Sequence, residues 1–219
     1  MIPFYSLFIN GEFRDSKDKQ DVLNPATGEI LAKVAVADKR DVDLAINSAR
    51  VAFDNGEWRK ISLAERKSFL LKIAQGILDK AQGLAKLETL NTGKPIKEST
   101  FMDVPSAAKT FAYFAQNLER YLKGETTDVL DAEARMYYEP YGVAVLIVPW
   151  NYPLLIAAWK LACALACGNT VILKPSSLTP LTALELAKII HSAGLPKGVV
   201  NIISGSGDSV GEALCLDKR

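Results

Sequence analysis

The chain has 219 residues, of which 49% are hydrophobic and 23% charged, with a mean hydropathy of +0.09. A chain of this length can bury a sizeable core as one large domain or two small ones, and this composition excludes disordered, collagen-like and disulfide-scaffold proteins. Lys and Arg number 26 against 25 Asp and Glu, which leaves a net charge of +1. No overall field draws the chain to nucleic acid or an anionic membrane, so the expected partner is a small molecule or another protein.

The cysteines and apolar segments indicate the cellular compartment. Cys163, Cys167 and Cys215 are too few and too clustered for an extracellular disulfide framework, and they lack metal-ligand spacing. Residues 1–10 have no basic segment followed by a long apolar run, and charged residues and glycine interrupt the later apolar runs. We therefore expect a cytoplasmic protein that does not span a membrane and has no metal site.

The start of the chain predicts short antiparallel strands. Asn10-Gly11 lies between two short apolar runs and is the favoured turn of a two-residue β-hairpin. A second turn at residues 24–28 separates two more β-prone runs, so we expect a small antiparallel sheet here. Residues 135–139, just before Pro140, are short and β-prone and predict an outlying strand.

Helices are predicted between these strands. Asp38 can cap a helix that ends near Phe53, with its apolar residues on one face. Ser62 and Glu65 have the spacing of a capping box at the start of a second helix. Helical patterns then continue to about Lys123.

The pattern changes after Tyr141. Continuous apolar strands alternate with helices, in the order 143–148, 153–167, 170–173, 181–192 and 199–203. This alternation predicts a parallel sheet covered on both faces, the first half of a doubly wound nucleotide-binding unit. The chain is thus predicted to be α/β, with a helical and antiparallel part at residues 1–142 and the parallel unit at residues 143–219. Ligands of such sheets bind beyond the carboxyl ends of the strands.

The first strand end carries Asn151 in a turn stiffened by Pro149 and Pro153. A side-chain amide held there could donate to a carbonyl oxygen that becomes negatively charged. The alternative is an Asn that caps the helix beginning at Pro153. Spacing alone leaves both interpretations open.

The second and third strand ends carry a lysine and a glycine cluster. Lys174 lies where it could reach the hydroxyls or phosphate of a nucleotide ribose, and the alternative is an ordinary solvated lysine. Gly205, Gly207 and Gly211 have GxGxxxG spacing, which could let the backbone approach a pyrophosphate at a helix N-terminus. A tight structural turn explains the same glycines equally well.

Together these strand ends resemble the aldehyde dehydrogenase superfamily. The motifs that carry the resemblance are Pro149-Trp150-Asn151-Tyr152-Pro153, Lys174-Pro175, Leu195-Pro196, residues 205–211, Asn24-Pro25-Ala26-Thr27-Gly28 and residues 87–95. The resemblance implies a Rossmann-like coenzyme unit, a small aldehyde substrate, a homodimer or homotetramer, and an oligomerisation role for the outlying strand. It also implies that Asn151 is the oxyanion donor and that Lys174 contacts the adenosine ribose.

The coenzyme implied by the resemblance is NAD or NADP. The residues expected to bind it are Ile147, Val148, Pro149, Trp150, Lys174, Ser177, Gly207 and Gly211. Ser177 stands where many members have a glutamate that chelates the ribose hydroxyls, which leaves the choice of coenzyme open. Asn91 stands where aspartate is common, and the loss of that carboxylate weakens any site for the monovalent cation that some relatives hold nearby.

Tyr152 and Trp159 bear on the substrate. In relatives that act on betaine aldehyde or amino aldehydes, aromatic residues at these positions help to enclose a cationic head group by cation–π attraction. The alternative for both rings is core packing in a general aromatic tunnel. A cationic aldehyde is therefore one possible substrate.

The reacting cysteine and glutamate of the family lie beyond the last residue of this chain. Cys163 and Cys167 fall in an apolar helix and are expected to be buried, inert thiols, and Cys215 has no neighbouring base. His191 is expected at the surface near the end of a helix. The sequence thus predicts the N-terminal part of an NAD(P)-dependent aldehyde dehydrogenase, with the catalytic domain absent and no activity alone. The alternative is a non-catalytic dinucleotide-binding or assembly module that pairs with a complete subunit.

Overall fold

The structure is a computed structural model that describes residues 2–219. The strands of this part of the chain are β1 (Phe4–Tyr5), β2 (Leu7–Ile9), β3 (Glu12–Arg14), β4 (Asp18–Leu23), β5 (Ile30–Val36), β6 (Glu125–Val129), β7 (Ala132–Met136), β8 (Val143–Ile147), β9 (Thr170–Lys174) and β10 (Val200–Ile202). They form a main sheet in the order β3–β2–β10–β9–β8, a small sheet β1–β5–β4, and a separate β6–β7 ribbon.

Helices surround these sheets. They are α1 (Lys39–Asp54), α2 (Leu63–Asp79), α3 (Ala81–Thr92), α4 (Ile96–Glu98), α5 (Val104–Leu122), α6 (Pro153–Ala166), α7 (Leu181–Ala193) and α8 (Glu212–Leu216), with π-helical turns at Ser99–Asp103 and Gly207–Gly211. No helix of residues 2–219 combines the length and the apolar character that crossing a bilayer requires.

The parallel half of the main sheet is confirmed. β9 lies between β8 and β10 and runs parallel to both. Val171 and Leu173 pack in the core cluster that contains α6 and α7, whereas Ile172 packs in the cluster of α1. Successive side chains of a strand point to opposite faces, so helices cover this sheet on both sides.

The predicted hairpin at Asn10-Gly11 is confirmed, because both residues have the positive φ angles (55° and 76°) of a tight hairpin turn. Its place in the fold differs from the expectation. β2 pairs antiparallel with β10, with Phe8 opposite Ile202, so the hairpin extends the main sheet. The small sheet is β4 and β5 with β1 alongside. The residues of a turn specify a hairpin, but they carry no information about which other strand the hairpin pairs with.

Both predicted helix starts are confirmed. The side chain of Asp38 accepts from the backbone N–H groups of Arg40 and Asp41, and the Asp41 side chain completes a capping box. Ser62 and Glu65 form the second box at α2. Such caps satisfy donors that the helix itself leaves unpaired, so they are readable from local sequence.

The outlying strand differs from the prediction in position. The expected strand at residues 135–139 is β7, which ends at Met136, and it pairs with β6 in a ribbon whose residues are all exposed. β6 was missed because a strand that packs on nothing needs no apolar alternation. Leu130, at the tip, adopts a positive φ of 49°.

Candidate functional site

Three loops follow the parallel strands at one edge of the sheet, and hydrogen bonds connect the first two. The Val148 N–H donates to the Lys174 carbonyl at 3.1 Å. The Thr179 hydroxyl, in the second loop, donates to the Trp150 carbonyl, in the first, at 3.0 Å. In the third loop, a Cβ on Gly211 would lie 3.6 Å from Cε of Lys174. The three loops therefore lie together at this edge, with Val148 and Gly211 next to Lys174.

Asn151 lies exposed on the first loop. The capping interpretation is wrong, because the N-cap of α6 is Tyr152 and no side chain caps the helix there. Pro153 occupies the first helical position and has no N–H to satisfy, while the Leu154 N–H donates to Glu88 at 3.3 Å. The Asn151 amide is thus left unpaired among the described residues.

Lys174 is buried, with only 4% of its surface exposed, so the solvated alternative is wrong. Burial lowers the pKa of its ammonium group. Nζ donates to the Pro175 carbonyl at 3.1 Å. An ammonium group has three donors, so two remain for a ligand at the sheet edge.

The glycine loop contains both a tight turn and an open backbone. Gly205 has a φ of 156°, and a Cβ there would come within 2.4 Å of the Val210 side chain, so this glycine is required by packing. A Cβ on Gly207 would meet nothing within 4 Å. Gly207 begins a helical segment whose N-cap is Ser206. The Ser206 hydroxyl accepts a hydrogen bond from the Ser209 N–H at 3.1 Å. The tight-turn interpretation thus holds for Gly205, and a pyrophosphate contact at Gly207 stays a prediction.

The remaining predicted coenzyme residues differ in accessibility. Ile147, Pro149 and Trp150 are exposed, and Trp150 shows 57% of its surface. Ser177 is half-buried and Val148 is buried, so Val148 could offer a ligand little beyond its backbone.

Tyr152 is held by polar contacts. Its hydroxyl donates to Glu98 at 2.6 Å, a bond that raises the pKa of the tyrosine. The Lys94 ammonium lies 3.8 Å from the ring centroid and pairs with the buried Asp103 at 2.7 Å. One face of the ring therefore already carries a cation. Trp159, by contrast, is 52% exposed, which excludes core packing for that residue.

Sequence reasoning missed Glu88, although it lies within the run of residues 87–95. Its carboxylate is fully buried and accepts hydrogen bonds from the Leu154 N–H at 3.3 Å and the Thr182 hydroxyl at 2.6 Å. Burial raises its pKa to about 7. The available signal was an acidic residue spaced with Leu84 and Ala85 on the buried face of α3.

The sequence profile described as the aldehyde dehydrogenase family matches residues 13–219. The chain belongs to the aldehyde dehydrogenase family. It is 44% identical over 211 residues to the NADP/NAD-dependent aldehyde dehydrogenase PuuC of Escherichia coli (strain K12). The aligned region covers 95% of this chain and 42% of PuuC.

Solved aldehyde dehydrogenases share its fold. The NAD+ complex of the Bacillus cereus enzyme matches with a TM-score of 0.93 and 37% identity, over 96% of this chain and 43% of that one. A betaine aldehyde dehydrogenase variant from Staphylococcus aureus, in complex with NAD+, matches with a TM-score of 0.92 and 39% identity over the same shares. This aldehyde dehydrogenase chain therefore spans less than half the length of these relatives.

The cysteines of this aldehyde dehydrogenase chain depart from the expectation. Cys163 is exposed and Cys167 half-buried, so the prediction of a buried Cys163 is wrong. Both thiols line an apolar cleft of about 390 Å³ against α5. Burial raises the pKa of Cys167. His191 is exposed at the end of α7, as predicted.

Asn91, which stands where the resemblance leads us to expect aspartate, is buried and hydrogen-bonded through both its amide nitrogen and its amide oxygen. Its Nδ2 donates to the Leu178 carbonyl at 3.1 Å, and its Oδ1 accepts from the Leu181 N–H at 3.3 Å. The amide thus binds the loop between β9 and α7 directly. A carboxylate could not donate to that carbonyl.

Proposed function

We propose that this chain supplies the coenzyme-binding loops and the oxyanion donor of an NAD(P)-dependent aldehyde dehydrogenase, which oxidises an aldehyde to a carboxylic acid. The observation that carries the proposal is the unpaired, exposed amide of Asn151 beside the loop of the buried Lys174. The bond from Thr179 to the Trp150 carbonyl holds the two loops together. Family membership supports the same class of reaction.

The residues at the sheet edge fit a dinucleotide. Lys174 has two free donors for ribose hydroxyls or a phosphate, and Gly207 leaves open space at the start of the helical segment that continues into α8. Backbone N–H groups at a helix start favour anions such as a pyrophosphate. When bound, the nicotinamide coenzyme accepts the hydride that leaves the substrate.

Asn151 would stabilise the charge that develops on the substrate. Its Nδ2 would donate to the aldehyde oxygen as that oxygen becomes negatively charged, and a donor held in place costs no reorganisation during the reaction. The Glu88 bond to Leu154 and the Thr179 bond to Trp150 fix the loop on both sides of it.

We assign no nucleophile within this chain. Cys163 lies eleven residues beyond the N-cap Tyr152, about 16 Å along the helix axis, and faces the cleft against α5. Cys215 is exposed on α8. The chain by itself is therefore proposed to bind coenzyme without oxidising aldehydes.

The narrower proposal of a betaine or amino aldehyde depends on Trp159. Because the Lys94 ammonium already covers one face of Tyr152, a cationic head group would depend mainly on the exposed indole of Trp159. In a full-length form, Trp159→Ala should then raise the KM for betaine aldehyde more than that for an uncharged aldehyde. Equal effects on both substrates would remove the cationic proposal.

We also propose a cytoplasmic homodimer or homotetramer assembled through the β6–β7 ribbon. All residues of both strands are exposed, and the exposed Met136, Tyr137 and Tyr138 lie at and beyond its end. The three free cysteines of the chain are compatible with a reducing compartment such as the cytoplasm. Sedimentation of the chain, compared with a variant whose residues 125–136 are replaced by a short Gly-Ser linker, would test the ribbon's role.

Calorimetric titration of NAD and NADP into the chain tests the coenzyme proposal. Binding of at least one coenzyme is expected, together with a loss in Lys174→Ala and unchanged affinity in Asn151→Ala. Absence of binding, or an unaffected Lys174→Ala, would contradict it. A chain that binds neither coenzyme but forms a stable complex with a full-length aldehyde dehydrogenase would support the alternative, an assembly module.

A further inference from the structure

One buried carboxylate connects the starts of two helices that follow the candidate site loops. Glu88, on α3, accepts from the Leu154 N–H in the first turn of α6 and from the Thr182 hydroxyl in the first turn of α7. The first of these helices follows the Asn151 loop, residues 148–152, and the second follows the Lys174 loop, residues 175–180 directly after Lys174. Glu88 is therefore hydrogen-bonded to the first turn of the helix that follows each loop.

Asn91 lies one helical turn further along α3 and contacts the same region. It donates to the Leu178 carbonyl in the loop before α7 and accepts from the Leu181 N–H at the start of α7. Glu88 and Asn91 are both buried on one face of α3. Their four hydrogen bonds join residues that are between 66 and 94 positions apart in the sequence.

We infer that Glu88 and Asn91 form a positioning clamp that sets the Asn151 loop relative to the Lys174 loop. This α3 clamp, defined as these two residues, rests on the function proposed above for the loops themselves. Neither residue is placed against substrate or coenzyme. They act through the backbone of α6, the first turn of α7 and the loop that precedes it.

Stability alone does not account for an acidic residue at this position. Burying a carboxyl group costs free energy, and a well-packed apolar residue often stabilises a core as well or better. Directional hydrogen bonds, in contrast, fix the relative position of the elements that they join, and catalytic groups lose activity when misplaced by about 1 Å. A direct hydrogen bond from the Thr179 hydroxyl to the Trp150 carbonyl also joins these two loops.

Amide NMR spectra of the 219-residue chain can report each loop. The side-chain amide of Asn151 reports the first loop. The backbone amide of Thr179, which follows the carbonyl held by Asn91, reports the second. Glu88→Ala should shift both reporters and weaken NAD binding by about 10-fold, the effect of losing one or two net hydrogen bonds. Asn91→Ala should shift the Thr179 signal and weaken NAD binding similarly.

Two controls separate positioning from stability. In Glu88→Gln the side-chain oxygen can accept from Leu154 and the NH2 group can donate to Thr182, so both reporters and NAD affinity should be retained. Leu84→Ala removes buried apolar surface from the same helix and should lower the free energy of unfolding without shifting either reporter.

The outcomes distinguish the clamp from the proposed function. If Glu88→Ala and Asn91→Ala shift the reporters no more than Leu84→Ala does, the clamp is overturned. If Glu88→Ala fails to fold, Asn91→Ala and Thr182→Val decide, and signals unchanged in both would overturn it. If the unmodified chain binds no coenzyme, the coenzyme-binding proposal fails, while the amide signals still decide the clamp.

Discussion

Replacing Glu88 by glutamine should change how the stability of the chain depends on pH. The carboxyl group is fully buried on α3, and burial raises its pKa from the usual 4.5 to about 7. The hydrogen bonds from Thr182 and Leu154 and the charge of Lys94 oppose this rise, whereas the charge of Asp103 adds to it. Burial is the largest of these effects, so the folded chain favours the protonated carboxyl.

The sign of the pH effect follows from proton uptake. Between pH 4.5 and about 7 the unfolded chain releases the Glu88 proton while the folded chain keeps it. Stability from this group is therefore fully present below pH 4.5 and is lost as the pH rises to about 7. The difference between the two pKa values corresponds to about 3 kcal/mol, a large part of the 5–15 kcal/mol typical of a domain.

Urea unfolding followed by circular dichroism at several pH values between 5 and 8 measures this effect. The free energy of unfolding of Glu88→Gln minus that of the unmodified chain should rise by about 2 to 3 kcal/mol across this interval, because other titrating groups cancel in the difference. Glu57→Gln, at an exposed carboxylate, controls for the change in net charge. Parallel pH curves for Glu88→Gln and the unmodified chain would refute the reasoning.

Three further predictions concern the proposed reaction. In a full-length form, Asn151→Ala should lower turnover by roughly 10² to 10³ and leave coenzyme affinity nearly intact, and equal turnover would exclude the oxyanion role. Titration of both coenzymes into the full-length form should show that it binds NADP as well as NAD, because the neutral Ser177 does not repel a 2′-phosphate. The substitution Ser177→Glu should shift the preference toward NAD. A preference for NAD above about 100-fold in the unmodified full-length form would contradict this prediction. The 219-residue chain alone should not reduce NAD or NADP with any of several aldehydes, because none of its cysteines lies beside an activating base. The formation of NADH or NADPH is followed by absorbance in a sample confirmed to be monodisperse. Turnover that disappears when Cys163, Cys167 and Cys215 are all replaced would show that a nucleophile lies within the chain.

Local signals in the sequence determined much of the fold. The capping boxes at Asp38 and Ser62 and the turn at Asn10-Gly11 depend on hydrogen bonds and backbone angles within a few residues. The continuous apolar run of β9 predicted a strand covered on both faces, since such a strand has no polar side to expose. The motifs at the strand ends, with those near residues 24–28 and 87–95, were sufficient to recognise the family.

Only the tertiary structure decided how these elements meet. The pairing of β2 with β10, the burial of Lys174 and the exposure of Cys163 depend on which distant surface packs against each residue. The role of Glu88 depends on α6 and α7, whose contacting residues lie 66 and 94 positions away. Periodicity records which face of a helix is buried, but it does not record the partner. A buried carboxyl that binds two distant helix starts is therefore invisible until the helices are packed.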